Sequence, residues 1–558
     1  MSKAMSHHLN RSDGLLVAAG LAGLAAFLLL YSSASPQAAV TLDVTREEAL
    51  ATARDYLDAR GAELDAYKGA VQFRGNNVGL VFLQRTLGLD EASRWARDEV
   101  PIWSWVMRWF EPGEKEEWQV RVAVDGTVVG LAHLVEEAAA GADLERDSAL
   151  VIAEAFVTGR GWDLETLELV EASSEKLDNR TDHHFTWEKT GSSVAWQPDE
   201  AETGTGSVRV LVDVQGEAVG RYRHYLHVPE DFQRDLEGIG SMGTVLALGS
   251  LALTLALILA ALGVTIVRYR ADDIHWAPAL RLAVLVAVLM IAQGFLFWPS
   301  AKFNYATEID WVAFIGLVLI GLLVVGVIYG VWVLFTAAAG ESLAREMFPE
   351  SLAGFEDAVR GRLLSPSVAA ASLRGYALGF LILGYLTVFY VLARKYFGAW
   401  LPAEGPYSEI FNSSLPFLAP LTVSLVAALT EEITYRLFGI SLFKKYLKST
   451  VAALLIPAVI WAFAHSNYPV FPVYLRGIEL TIGGLIFGIG FLRLGLLACV
   501  IAHFVIDAVI IGMPLLSSGN TAYVISGAIV MGIALLPAVL GLAARARSPA
   551  ADGAPPGV

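Results

Sequence analysis

The chain has 558 residues, 55% of them hydrophobic and 17% charged, with a mean hydropathy of +0.53 and a formal net charge of −16. A soluble domain carries about a quarter charged residues, so an ordinary soluble enzyme is excluded. The acidic balance argues against a nucleic-acid partner. The one cysteine, Cys499, lies in an apolar run and excludes both a disulfide framework and a cysteine-based zinc site.

The chain opens with Lys3 and Arg11, then an apolar run over 15–31, then small residues and Pro36. Residues 1–35 read as an uncleaved anchor helix or as a secretory signal segment. The length of the run favours the anchor. Either way the next segment is expected outside the cytoplasm. That segment, 36–237, is charged, rich in tryptophan and without a spanning run, so it reads as an extracytoplasmic α+β region. It contains an internal repeat. One copy opens helically at Arg46 to Leu50 and ends in alternating residues from Trp118 to Gly130. The other opens at Glu145 to Leu150 and ends from Val208 to Gly220. Each copy reads as a helix followed by strands with a glycine-containing hairpin turn. The pattern resembles PepSY-like modules, over the helix and final hairpin only.

From Ser241 the sequence returns to the membrane. A spanning helix needs about 20 mostly apolar residues. Runs at 242–267, 277–298, 310–337, 369–393, 415–438, 450–465, 475–492, 496–516 and 523–543 qualify or come close. With the N-terminal run they predict a polytopic α-helical membrane protein of about ten spans. Residues 238–400 would be accessory helices and 401–545 a functional core, with a disordered tail over 546–558. Lys3, Arg11, Arg268, Arg270, Arg345, Arg360, Arg362, Lys444, Lys445, Lys448, Arg493, Arg545 and Arg547 then share the inner side. Arg394 and Lys395 fall on the outer side and run against the rule. Residues 341–364 mix charge and apolarity at helical spacing, which predicts an amphipathic helix on the inner surface.

Three groups of ionisable residues sit where charge is expensive and usually marks function. Glu431 and Glu432 end one apolar run, with Arg436 four residues beyond Glu432. The i, i+4 spacing lets Glu432 and Arg436 pair. Glu431 then projects about 100° away around the helix, free to act as a base. The same residues would also suit a helix end in water. His465 closes the next run, and a histidine there is equally consistent with a structural role. His503 and Asp507 lie on one face inside a third run. Asp507 could orient His503, or both could bind a metal. Together, a glutamate and a histidine suffice to activate water, and a second histidine can serve an oxyanion.

In this order the motifs resemble the CPBP family, which takes in type II CAAX prenyl endopeptidases and bacteriocin-processing, Abi-like proteins. Its Glu-Glu-x-x-x-Arg, Phe-x-x-x-His and His-x-x-x-Asn/Asp patterns correspond to Glu431, Glu432 and Arg436, then His465, then His503 and Asp507. The glycine-rich stretch from Gly483 to Gly488 and the turn at Arg493 to Gly495 resemble the family as well. The likeness covers about 415–516. Trp461 stands where the family usually has Phe, an aromatic exchange expected to alter packing only. Asp507 stands where eukaryotic members have Asn.

The resemblance implies an intramembrane endopeptidase. Glu431 and His465 would activate a water, His503 oriented by Asp507 would stabilise the oxyanion, and Glu432 with Arg436 would lock the helix. It leaves a metal open. Either none is required, or a divalent ion such as zinc is held by Glu431, His465, His503 and Asp507. The expected partners are membrane lipid and a peptide or membrane-protein substrate, in a bacterial cell membrane. A non-catalytic scaffold acting through the outer domain, or a transporter, are the alternatives. One tension stands: the span boundaries put Glu431 toward the inner face and His465 at an outward-running helix end.

Overall fold

The computed structural model describes residues 11–34, 41–197, 204–399, 407–468 and 470–547. Lys3, the small residues at 35–36 and the tail after Arg547 lie outside them. In chain order the helices are α1 (Arg11–Ala34), α2 (Arg46–Asp58), α3 (Asn77–Leu87), α4 (Leu89–Asp98), α5 (Arg146–Gly159), α6 (Glu230–Arg270), α7 (Trp276–Leu296), α8 (Trp298–Phe303), α9 (Trp311–Met347), α10 (Ala353–Val359), α11 (Pro366–Phe397), α12 (Tyr407–Asn412) and α13 (Leu418–Glu431). A π-helical segment, Glu432–Ile440, continues α13 into α14 (Ser441–Leu447). Then come α15 (Thr450–Phe463), α16 (Tyr474–Leu494), α17 (Leu496–Ser517), α18 (Thr521–Ala534) and α19 (Leu536–Arg547).

Each apolar run read from the sequence is helical. Eight helices among the described residues are long and apolar enough to cross a membrane. The sequence reading of about ten spans also counted the α13–α14 rod and α15. The rod is divided by its π segment, and α15 has only 14 residues. Residues 341–364 differ from expectation. Glu341 to Met347 continue α9, and the chain then breaks at Phe348 and Pro349 into a 3-10 turn and the short α10. A proline disfavours helix at the residue before it, and Phe348 sits at φ −148°. Leu352 and Phe355 are buried against the bundle, while Pro349, Glu350, Ala353 and residues 360–364 are exposed.

α1 is built into the bundle. Cβ atoms at Gly20 and Gly23 would collide with the backbone of Ala377 and Phe380 on α11, so only glycine allows this approach. Asp13 and Arg374 form a buried ion pair at 2.7 Å across the same contact.

The strands between α2 and α6 form one antiparallel sheet: β1 (Lys68–Gly75), β2 (Trp103–Phe110), β3 (Glu117–Ala123), β4 (Val128–Leu134), β5 (Leu167–Lys176), β6 (Thr181–Trp196), β7 (Gly204–Gln215) and β8 (Ala218–His227). Their order is β1-β2-β3-β4-β8-β7-β6-β5. Two units, each a helix followed by four strands, therefore meet through their last strands. The first also inserts α3 and α4 after β1. α2 starts with a capping box at Thr45 and Glu48. The sheet's core of Phe73, Trp105, Val120, Phe185 and Val210 continues into Phe411 and Tyr523 at the bundle's end. Arg108 also donates to the carbonyls of Phe303 (2.8 Å) and Tyr305 (2.7 Å). α6 leaves the sheet directly after β8 and runs 41 residues, about 60 Å, without a break near residue 237.

Candidate active site

The depth of the site follows from counting helix turns. The α13–α14 rod runs to Leu447, and α15 starts at Thr450. Glu431 lies sixteen residues back from that turn and His465 fifteen residues forward from it. At about 1.5 Å per residue both rise to a similar height. This removes the tension in the sequence reading. The helix bearing Glu431 extends past 438, so Glu431 is near its middle, not at its inner end. The short α15 stops where it meets Glu431.

The π segment sits at this point and is wholly buried. Such widened turns recur at functional sites. Neighbouring helices hold it: Trp332 on α9 donates to the Thr434 hydroxyl (2.8 Å), and Thr254 on α6 pairs with the Tyr435 hydroxyl (2.8 Å). Gly439 lets Pro457 of α15 approach, since a Cβ there would meet the proline ring at 3.2 Å.

All six residues singled out in the sequence come together here. The His503 Nδ1–H donates to Glu432 at 2.8 Å, and Glu432 also pairs with Arg436 at 3.1 Å. The His465 Nδ1–H donates to the Trp461 carbonyl at 2.8 Å. These acceptors fix both tautomers. Each Nε2 then faces Glu431, at 3.9 Å from His465 and 3.7 Å from His503. Asp507 stands 3.5 Å from the same Nε2 of His503. Glu432, not Asp507, therefore holds the far side of His503. Burial separates the set into two layers. Glu432, Arg436 and His503 are 0%, 2% and 7% exposed, while Glu431, His465 and Asp507 are 20%, 23% and 26% exposed. The inner layer fixes, and the outer layer can meet a solute.

Trp461 does more than pack. Its indole N–H donates to the Glu431 carboxylate, a bond phenylalanine cannot make. Its ring also covers the Arg436 guanidinium at 4.2 Å, with Phe487 at 4.8 Å. A second buried carboxylate, Glu479 on α16, escaped the sequence reading. It is fully buried, pairs with Arg476 at 2.6 Å and accepts from Tyr390 at 3.1 Å. Its signal was available, as an Arg and a Glu three residues apart at the head of an apolar run.

The donor chemistry of two imidazoles and two carboxylates suits zinc. As arranged, no three His, Cys, Asp or Glu among the described residues are grouped to hold an ion. No step below runs through a metal.

A helical membrane bundle with a carboxylate–histidine cluster inside it defines the class. Residues 413–509 match the family described as Type II CAAX prenyl endopeptidase Rce1-like, the same segment whose motifs resemble such proteins. The sporulation-killing factor biosynthesis protein SkfC of Bacillus subtilis (strain 168) is 22% identical over 319 residues, 56% of this chain and 61% of SkfC. The chain thus spans under two thirds of that relative. No solved structure matches.

Proposed function

We propose that the protein is an intramembrane endopeptidase that hydrolyses peptide bonds with a water activated by Glu431. One observation carries the reading: the partly open Glu431 carboxylate faces two imidazole Nε2 atoms whose opposite nitrogens are both tied down. A water between Glu431 and His465 loses a proton to the carboxylate as its oxygen attacks the scissile carbonyl carbon. The oxyanion that forms takes a hydrogen bond from His503. With Nδ1 committed to Glu432, His503 offers an Nε2–H only as imidazolium, and Glu431, Glu432 and Asp507 balance that charge. Collapse breaks the C–N bond, and the proton held by Glu431 passes to the leaving amine. Trp461 aims the Glu431 carboxylate and leaves one oxygen for water.

The sheet is assigned to the extracytoplasmic side. In support, Arg268, Arg270, Arg345, Lys444, Lys445 and Arg493 lie at helix ends opposite to it. Residues 401–545 are assigned as the protease core. The substrate is assigned as a membrane-associated peptide or membrane protein. SkfC's part in making a killing factor fits a peptide matured at a membrane. The test is cleavage of a mixed membrane-peptide library by purified protein, with His503→Ala as control and a chelator in parallel. Cleavage that survives the chelator and is lost in His503→Ala supports the reading. A library left intact by well-folded wild type removes it.

A further inference from the structure

One face of the outer sheet is lined with arginines, and the strand register explains why. Arg108 on β2 is two residues from Val106, which opposes Arg121 on β3. Arg121 in turn opposes Gly130 on β4, and Gly130 opposes Arg223 on β8. Side chains alternate along a strand, so these residues share a face. Three of the arginines there have a carboxylate. Arg108 pairs with Glu117 (2.5 Å), Arg209 with Glu188 (3.1 Å) and Arg221 with Asp213 (3.8 Å).

Arg121 and Arg223 do not. Among the described residues neither has an ion-pair partner, yet both are partly buried. They face a cavity of about 220 Å³ that Arg74 also lines and to which no acidic residue contributes. The cavity lies at the seam between the two units, where β4 and β8 pair over only three residues before parting. Gly130 makes it possible: the Arg121 stem lies 3.0 Å from where a Cβ would be. Burial, with added repulsion from Arg223 and Arg74, pushes the Arg121 guanidinium down to about 10. Gly75 and Asn76, at the N-terminal end of α3, form another wall, and that end of a helix favours anions.

A protein does not ordinarily gather uncompensated guanidiniums around a hollow, because burying unpaired charge costs stability. We infer that the seam binds a phosphate-type oxyanion, held by Arg74, Arg121 and Arg223. Planar guanidinium forks match phosphate oxygens in pairs. The source is either free phosphate or a lipid headgroup. Arg74 reaches Asn304 (3.3 Å) and lies over Phe303 (4.7 Å), so the site abuts the helix ends at the membrane surface.

The test uses the full chain. Its thermal midpoint is measured in detergent with inorganic phosphate against chloride at equal ionic strength. It is measured again in nanodiscs of phosphatidylcholine with and without phosphatidylglycerol. Stabilisation by phosphate assigns a free anion, and stabilisation by phosphatidylglycerol alone assigns a lipid. In either case Arg121→Gln and Arg223→Gln are expected to weaken binding about tenfold or more. Arg121→Lys, which keeps charge and bulk but not the fork, should fall between. Arg54→Gln, on exposed α2, should match wild type. No stabilisation by either anion beyond chloride, or full stabilisation in both Gln variants, overturns the inference.

Discussion

Two carboxylates lie inside the same helical bundle in opposite surroundings. Glu479 is sealed from solvent, with Arg476 at 2.6 Å and the Tyr390 hydroxyl at 3.1 Å. Glu431 keeps 20% of its side chain exposed and has no Lys or Arg partner, only an indole N–H and two imidazole nitrogens 3.7 and 3.9 Å away. Burial of charge within a membrane thus has two outcomes. Where the charge is neutralised by a close partner, it ties helices together. Where it is left open beside pinned bases, it is available for chemistry. Glu432 belongs to the first kind and stands directly beside Glu431, so the two kinds are separated by one residue of helix rotation.

That contrast can be broken by substitution. After Glu431 itself, the largest effects are expected at the histidines facing it. His465→Ala and His503→Ala should each lower kcat about 10²–10³-fold, the first with little change in thermal stability and the second with a loss of about 1–3 kcal/mol from the Glu432 bond it removes. The reverse is expected at Glu479. Glu479→Ala removes the partner of the half-buried Arg476 and of the buried Tyr390 hydroxyl and should cost about 1–3 kcal/mol in unfolding, with kcat of the folded fraction within a few-fold of wild type. Denaturation in detergent and active-site-normalised rates separate the two. A Glu479 variant that is stable but inactive would merge the two classes. Trp461→Phe is a smaller test. It removes one hydrogen bond to a charged group, and a loss of about tenfold in kcat with unchanged stability is expected. A rate equal to wild type would return Trp461 to a packing role.

The smallest effect lies outside the membrane. Burial pushes His224 on β8 down to about 4, and it stays neutral while its Nε2 bonds the Glu99 carbonyl at 3.1 Å. The folded state then binds fewer protons than the unfolded one between these values. Stability is full above about pH 6.5 and falls as the pH drops toward 4, by up to about 1.4 kcal/mol per unit. His224→Asn should flatten this slope in acid unfolding curves. An unchanged slope would place the titration elsewhere.

The site was legible because its residues violate their setting. Glu431, Glu432, His465, His503 and Asp507 interrupt apolar runs, and their spacings already imply shared faces. Glu432 and Arg436 pair as an i, i+4 spacing suggests. What could not be read were contacts between distant segments. The hydrogen bond from Trp461 to Glu431 crosses 30 positions, and Tyr390 reaches Glu479 across 89. The π segment has no periodic signature, since it depends on Thr254 and Trp332 from other helices. In the sheet region, alternation revealed the strands, but the join of β4 to β8 links two copies that sequence could only place side by side. The break at Pro349 was available in the sequence, but the mixed polarity around it was read as an amphipathic surface helix.

The central claim is that Glu431 supplies the base. Wild type and Glu431→Gln, purified in parallel and matched in thermal midpoint, should be compared for cleavage of the same membrane-peptide library. The account predicts cleavage by wild type and a loss of about 10³-fold or more in the variant, which keeps the shape and the acceptor for Trp461 but cannot take a proton. Equal cleavage by both proteins would contradict it.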